Sequence, residues 1–335
     1  MKFSRRLWLW IPWALFALMA ALWSGYWFFL ASQAENRIAS WAREQEAGGA
    51  RAAYTRIVKH GFPVLLRLEI QDLDYAPARG GWRAQTERID LHLDPFDPEH
   101  AIFSAEAPIA IASADGATRR LDADALIASL RMRGRALAQF GVEADNLRLD
   151  DAAKAGVLGL RKLVLNLRPD PRAAGQYQLA LEANNLTLPR PVRGFEAFGL
   201  DIDSLRAAIV IAHGAALLQG APQDPLGPWR EAGGGLRFEA LAMHWGPLET
   251  DGAGAGRLDD ARRLEGALAL AVARPAPVLA ALARGPDLDA NAARALGLLA
   301  AGYALSGDDI TLDLEARGGV LRLEGLPVRR LPPVY

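Results

Sequence analysis

The run from Leu7 to Leu30 constrains this chain more than any other feature: it holds 24 residues without a charge. A helix rises about 1.5 Å per residue, and roughly 20 apolar residues cross a hydrocarbon core. The run therefore predicts a transmembrane anchor. Trp8, Trp10 and Trp13 gather at one end, and Trp23, Tyr26 and Trp27 at the other. Amphipathic rings prefer headgroup depth, so the two groups read as aromatic belts. Lys2, Arg5 and Arg6 precede the run, and the positive-inside rule keeps them cytoplasmic and sends the rest of the chain across. The competing reading is a cleaved signal peptide, with Ser32-Gln33-Ala34 as its small-x-small site. Signal peptides carry apolar stretches of about 7–15 residues, shorter than this run and not flanked by tryptophans, so the retained anchor is preferred. The expected organisation is a basic stub and anchor over residues 1–30, a juxtamembrane helix over 31–50 and an exported domain over 51–335. The expected location is a bacterial inner membrane, with the N-terminus cytoplasmic and the main domain periplasmic.

From Ala34 to Glu46, Ile38 and Trp41 share a helical face, and Gly48-Gly49 supplies a stop. The hydrophobic period then changes from 3.6 to 2. Leu66, Leu68 and Ile70 alternate with polar residues, as do Ile89, Leu91 and Leu93, then Leu163, Leu165 and Leu167, then Leu179 and Leu181, then Ile310, Leu312 and Leu314. Such alternation predicts half-buried strands. Turn residues separate them at Pro77–Gly81, Pro95–Pro98, Asp115-Gly116, Pro169–Gly175 and Gly252–Gly256. Apolar residues return to helical spacing over Pro277–Arg284 and Asn291–Tyr303, divided by Pro286-Asp287. Ala144-Asp145-Asn146-Leu147 echoes Ala183-Asn184-Asn185-Leu186, with a fainter copy at Phe238–Met243, as if one polar corner recurred along a meander. The fold class expected is mainly β (α+β): a long curved antiparallel sheet or sandwich behind the anchor, with a helical insertion near 275–303.

Composition excludes several functions. The chain has no cysteine, which removes disulfides, thiolate metal sites and cysteine nucleophiles. Beyond Leu30 it carries 35 basic and 39 acidic residues, both scattered, which argues against nucleic acid as a partner. There is no Gly-x-Ser-x-Gly, and Ser306-Gly307-Asp308 reads as a turn. Gly252–Gly256 lacks the lysine and following helix that phosphate binding needs. Asp90, His92 and Asp94 share one strand face, but steps of nearly 7 Å suit a solvated face better than a metal shell. The pairs Asp259-Asp260 and Asp308-Asp309 point to opposite sides and belong to turns. No catalytic, cofactor-binding or metal-ligating residue is therefore assigned, and no cofactor is expected.

Three stretches carry a family resemblance. One is His60-Gly61-Phe62-Pro63. A second runs from Trp229 through Gly233–Leu236 to Trp245-Gly246-Pro247-Leu248 and Arg257-Leu258-Asp259. The third is Gly325-Leu326-Pro327 with Leu331-Pro332-Pro333. With the anchor, this order resembles the domain-of-unknown-function 2125 family of proteobacterial membrane proteins. The resemblance implies an inner-membrane location and a β-rich exported domain, and supplies no activity. The layout is also similar to AsmA-like envelope lipid carriers, by architecture alone. Gly61, Phe62, Pro63, Trp229, Trp245, Gly246 and Pro247 are read as structural motif residues. Gly61 and Pro63 would shape a tight turn with Phe62 as a core plug, and Trp245 would be a buried aromatic beside a turn.

The function expected is non-enzymatic. The bilayer is a partner through residues 7–30, and a lipid ligand would lie along an apolar sheet face that a few late helices cover only in part. A sandwich of two sheets would bury that face by itself. Envelope proteins contacting the sheet edges or the Pro-rich tail, Leu326–Tyr335, form the alternative, and an enzyme with a dispersed site the third reading.

Overall fold

The computed structural model describes residues 5–335 except 115, 135, 152–155, 221–223, 286–287, 289 and 307–308, and gives the backbone alone at 5–9, 151 and 218. Lys2, Asp115, the Pro286-Asp287 break, and Gly307 and Asp308 of the two late turn readings thus lie outside the described residues.

The protein is mostly β, with antiparallel pairing throughout the described strands, behind one long helix. That helix, α1 (Arg5–Ala47), runs unbroken through residue 30. Gly49, at φ +84°, ends it. Pro12 sits early in α1, where a helix in lipid tolerates it. The stretch from Trp10 onward is long and apolar enough to cross a membrane, with a mean hydropathy of 1.7.

The chain divides into two compact units. The first takes the chain up to Thr118 together with Ile127–Gly134. Besides α1 it holds β1 (Arg51–Ala53), β2 (Arg56–His60), β3 (Leu66–Ala76), β4 (Trp82–Asp94), β5 (Asp97–Ala105), β6 (Ile109–Ser113) and β8 (Ala125–Arg133). Strands β1 and β2 both pair with β3, β3 pairs with β4, β4 with β5 and β6, and β5 with β8. The inward set of β3 (Leu66, Leu68) and Leu91 of β4 pack on Trp27, Ala31 and Ala34 of α1. The second half of the helix is thus the covering layer of this sheet, and Trp27 is only 2% exposed.

The second unit holds β7 (Thr118–Asp122), β9 (Ala136–Asp151), β10 (Gly156–Pro169), β11 (Tyr177–Thr187), β12 (Asp201–Ala212), β13 (Gly235–Trp245), β14 (Leu248–Leu258), β15 (Leu264–Ala273), β16 (Ile310–Arg317), β17 (Val320–Leu323) and β18 (Leu326–Arg330). From β9 to β18 each strand pairs with the next, and β7 pairs with β9 on the outer side. A short helix, α2 (Gly227–Glu231), precedes β13. Between β15 and β16 come α3 (Pro275–Ala283) and α4 (Ala290–Ser306), the expected helical insertion. Pro275 at the first position of α3 suits its missing N–H. Leu279 of α3 and Leu296 of α4 are fully buried against Trp245, Leu248, Val272 and Leu312. Each such leucine contributes about 1.5–3 kcal/mol of apolar burial.

The repeated polar corners have a common cause. Asn146 and Asn185 have φ near +50°, in the left-handed region that asparagine tolerates better than most side chains. Around them the apolar parity changes. On β9 Phe140, Val142 and Ala144 give way to Leu147 and Leu149, and on β11 Leu179, Leu181 and Ala183 give way to Leu186. The left-handed residue turns the strand by half a period and keeps the leucines on one side. Asp72 (φ +55°) does the same in β3, where Leu66 and Leu68 face α1 before it and Tyr75 stacks on Trp41 of α1 after it. The third copy behaves differently, with a register shift at Phe238/Leu241 in place of a left-handed residue.

Two turn expectations are corrected. Gly252–Gly256 lies inside β14 and makes no turn. A Cβ at Gly254 would stand 2.2 Å from the Ala267 carbonyl oxygen, and one at Gly252 2.4 Å from Leu270 Cδ2. The neighbouring strand crosses so closely here that only glycine fits, a role easily mistaken for chain reversal. The Pro95–Pro98 turn is shorter than expected, because β5 already begins at Asp97.

Candidate functional site

Three surfaces bring chemistry together. The first is the end of unit 1 nearest the apolar part of α1. Gly61 (φ +93°) closes the β2–β3 loop: the Leu65 N–H donates to its carbonyl at 2.9 Å, and a Cβ would stand 2.6 Å from the Leu65 oxygen. The peptide between Phe62 and Pro63 is cis. Phe62 does not plug the core as expected. It is 51% exposed and lies against Trp27 and Phe28, with ring centroids 5.5 and 5.8 Å away. The sequence reading placed it at a sheet corner because nothing in the local pattern announces that the helix passes there. The indole N–H of Trp23 donates to the Pro63 carbonyl at 2.8 Å and that of Trp27 to the Leu65 carbonyl at 2.9 Å. The Tyr26 hydroxyl donates to the Pro95 carbonyl at 2.8 Å.

The second is the face of the unit 1 sheet turned away from α1. Asp90 was expected on a solvated face, yet its side chain is 1% exposed. Arg88 donates to both its oxygens, at 3.0 and 2.7 Å, and Arg67 stands 3.8 Å away. Burial pushes the Asp90 carboxyl up, but the hydrogen bonds and charge of Arg88, with Arg67 behind, hold it below the ordinary carboxylate range. Glu69 accepts from Gln71 and lies 3.6 Å from Arg88. His92 touches Ser104 at 3.4 Å and Asp94 accepts the Phe96 N–H at 2.9 Å, so the i, i+2, i+4 set diverges. Among the described residues no three His, Asp or Glu side chains are placed to hold a metal ion.

A comparable cluster sits at the other end of β3. Asp74 accepts from Arg83 at 2.6 Å and pairs with Arg51, and those hydrogen bonds, led by Arg83, outweigh burial and bring its carboxyl to about 2. Sequence reasoning missed this site. Its signal was the change of apolar parity across Asp72, which turns Asp74 to the side that Arg83 and Arg51 share.

The third surface is the apolar face of unit 2. Register places Phe140, Leu167, Leu179, Ile209, Phe238, Gly254, Leu268, Leu314 and Leu323 in one row across successive strands. A parallel row runs through Val142, Leu165, Leu181, Ala207, Leu241, Gly252, Leu270 and Leu312. On the opposite face the corresponding row carries Glu143, Glu182, Arg206 and Asp251. Helices α3 and α4 pack over the Trp245 end of the apolar face, reaching Leu270, Leu312 and Leu314. Leu165, Leu167, Leu179, Leu181 and Phe238 lie outside that core and are half-buried.

Both tryptophan motifs frame this unit. Trp245 is buried, as expected beside a turn. Its ring stacks on Phe195 (5.6 Å, 16°), meets Phe198 edge-on, and donates to the Gly199 carbonyl at 3.2 Å. Gly246 (φ +52°) and Pro247 make the two-residue hairpin between β13 and β14, and a Cβ on Gly246 would stand 2.7 Å from the Phe198 oxygen. Trp229, in α2, is buried and donates to the Ala212 carbonyl at 2.7 Å. Its indole lies flat where a side chain on Gly234 would be. An open cleft of about 760 Å³ is lined by Val210, Ala212, Leu236 and Ala267 together with Arg237, Arg257, Glu265 and Glu315, with Arg257 and Glu265 paired at 2.9 Å. The Pro-rich tail folds back: the Val334 N–H donates to the Arg262 carbonyl, and the Arg262 guanidinium lies 5.0 Å over the Tyr335 ring.

An antiparallel meander with one apolar face, joined to a sheet whose covering layer is a helix long enough to cross a membrane, defines the class: a β-rich protein with an N-terminal apolar helix. Within that class the chain belongs to the DUF2125 family, described as an uncharacterized protein conserved in bacteria, whose family model matches residues 27–332. No curated protein and no solved structure matches the chain.

Proposed function

We propose that α1 is a retained anchor in a bacterial inner membrane, with the β units on the periplasmic side, and that unit 2 takes lipid acyl chains on its apolar face. The reading is non-enzymatic. Its carrying observation is register: leucine, isoleucine and phenylalanine align across β9 to β13, and α3 and α4 pack elsewhere on the same face. A sheet face of this composition gains free energy from any apolar cover, and acyl chains match a long row without requiring polar partners. Retention of α1 is supported by the burial of Trp27, Ala31 and Ala34. Cleavage after Ala34 would strip Trp27, Ala31 and Ala34 from the unit 1 core and uncover Leu66 and Leu68. The basic residues ahead of the run support a cytoplasmic N-terminus.

The test is photocrosslinking of full-length protein in membranes containing a phospholipid with a diazirine in its acyl chain, with adducts mapped by mass spectrometry. Adducts on Leu165, Leu181, Ile209 or Phe238, lost when Leu165 and Leu181 are both replaced by Asp, are the expected result. Adducts confined to α1 and unit 1 would remove lipid carriage and leave only the anchor.

A further inference from the structure

We propose that the β2–β3 loop, Gly61–Leu65, and the β4–β5 turn at Pro95-Phe96 form an insertion wedge that enters the acyl–headgroup boundary of the leaflet through which α1 leaves the bilayer. The inference rests on the anchor reading above and adds a second, non-helical contact with the same membrane.

Depth comes first. The three hydrogen bonds to these tips come from Trp23, Tyr26 and Trp27, and the rings of Phe62 and Phe96 rest on Phe28 and Trp23. All of these helix residues lie inside the apolar run that ends at Leu30. At about 1.5 Å per residue, Trp23 is roughly 10 Å below that end. Two tips held beside residues 23–28 share their depth. The first charges on the helix and its neighbouring strand stand just above: Glu35 pairs with Lys59 at 2.6 Å, and Arg67 follows the loop.

Chemistry comes second. The loop Gly61-Phe62-Pro63-Val64-Leu65 has no charge, and it turns Phe62, Val64 and Leu65 outward. Phe96 is 75% exposed at the tip of its turn. Four large apolar side chains on two adjacent tips are a poor surface for water. They continue the exposed apolar surface of α1, where Leu18, Met19, Leu22, Phe28 and Phe29 also face outward.

Hydrogen bonding is the third and most specific argument. Irregular backbone survives at membrane depth only where its polar groups are satisfied within the protein. Here they are. The N–H groups of Val64 and Leu65 both donate to the Gly61 carbonyl. The carbonyls of Pro63, Leu65 and Pro95 accept from the two indoles and the phenol. The Phe96 N–H donates to Asp94, and Asp97 is paired with Arg131 at 3.2 Å. Pro63 and Pro95 have no N–H to satisfy. A tip bathed in water would not need these bonds.

The absence of cysteine makes the test direct, because single cysteines need no prior removal. Val64→Cys and Phe96→Cys, each carrying a nitrobenzoxadiazole label, would be placed in the full-length chain in phosphatidylcholine–phosphatidylglycerol nanodiscs. Phe16→Cys, within the span, and Arg79→Cys, in the β3–β4 turn at the opposite end of unit 1, serve as references. Val64 and Phe96 are largely exposed, so the labels displace little packing beyond the contact of the Phe96 ring with Trp23. The wedge requires blue-shifted emission at positions 64 and 96, with quenching by 6,7-dibromo-phosphatidylcholine at least twofold stronger than at 79. If both tips behave like position 79 while position 16 is quenched, the wedge is wrong and the anchor stands. If position 16 is also unquenched, the anchor reading falls and the wedge with it.

Discussion

The interior glycines of β14 offer a matched pair for testing how tightly this sheet is curved. Gly254 and Gly256 are two residues apart, face the same side and pair with β15 in the same ladder. They differ in space. A Cβ at 254 would stand 2.2 Å from the Ala267 carbonyl oxygen and 2.7 Å from Leu268 Cα, both backbone atoms. At 256 the nearest atom is Leu264 Cδ1 at 3.5 Å, an ordinary contact. Gly254→Ala must therefore separate β14 from β15, and the overpacking is expected to cost about 1–3 kcal/mol or more. Gly256→Ala meets no such obstacle and removes unfolded-chain freedom, so it is expected to be neutral or stabilising by about 0.5–1 kcal/mol. Global unfolding of a two-unit protein is not a two-state measurement, so the assay is amide hydrogen exchange resolved to the β14–β15 peptides. The expected result for Gly254→Ala is exchange faster by about 5- to 150-fold, the equivalent of the stated cost, with Gly256→Ala at or below the wild-type rate. Equal exchange in the two variants would refute the argument that backbone crowding selects glycine in this strand.

Three further outcomes follow from named contacts. Asp74 titrates at about 2 against 3.8 unfolded, so its ion pairs stabilise unit 1 at neutral pH, and that contribution fades as pH falls from about 4 through 2. Because Arg51 and Arg83 are themselves half-exposed, about 1 kcal/mol is expected, and Asp74→Asn should flatten the acid limb of β1–β3 hydrogen exchange. Leu279→Ala empties a fully buried site between α3, α4 and the sheet and should cost about 2–5 kcal/mol, read as faster exchange in α3 and α4 with unit 1 unchanged. Trp27→Ala removes both packing and the bond to Leu65, and should destabilise β2–β4 by about 3–5 kcal/mol. Trp27→Phe keeps most of the packing and should cost about 1 kcal/mol, seen as loosening confined to the Gly61–Leu65 loop.

The strands were legible where one face stays apolar over several residues. Leu66–Gln71, Ile89–Asp94, Leu163–Arg168 and Ile310–Glu315 all fall inside observed strands because period-2 alternation is a direct image of a half-buried sheet. The late helices were legible from their spacing, to within a few residues at each end. Three things were hidden. Glycine inside β14 imitates a turn, since the residue type reports freedom or crowding without saying which. The buried state of Asp90 depends on guanidiniums from two strands, and pattern alone does not place Arg67 and Arg88 above one carboxylate. The position of Phe62 depends on the helix beside it, a contact 35 residues away in sequence for the Trp27–Phe62 distance of 5.5 Å, although the aromatic residues on both sides were visible. Of the motif residues, Trp245 was readable as a buried aromatic beside a turn, because an indole has a large apolar area to bury.

The same helix that passes for an anchor by composition is also an integral layer of unit 1, and the two roles constrain each other. Its contacts with the sheet begin at Trp23 and Trp27 and continue to Trp41, which stacks on Tyr75, and to Gln45, which accepts from the Tyr75 hydroxyl. From Trp27 to Trp41 the helix rises about 21 Å, so the sheet is fixed at two well-separated heights. A body attached at one point by a glycine- or serine-rich linker samples many orientations. A body clamped at two heights follows the tilt of the helix. The left-handed Asp72 is what makes the upper clamp possible, because without its half-period turn Tyr75 would face away from Trp41 while Leu66 and Leu68 faced the helix. Whatever fixes the helix in a bilayer therefore fixes the orientation of unit 1, and the side chains that decide it (Trp27, Asp72 and Tyr75) lie on both sides of residue 30, the boundary that hydropathy alone would draw.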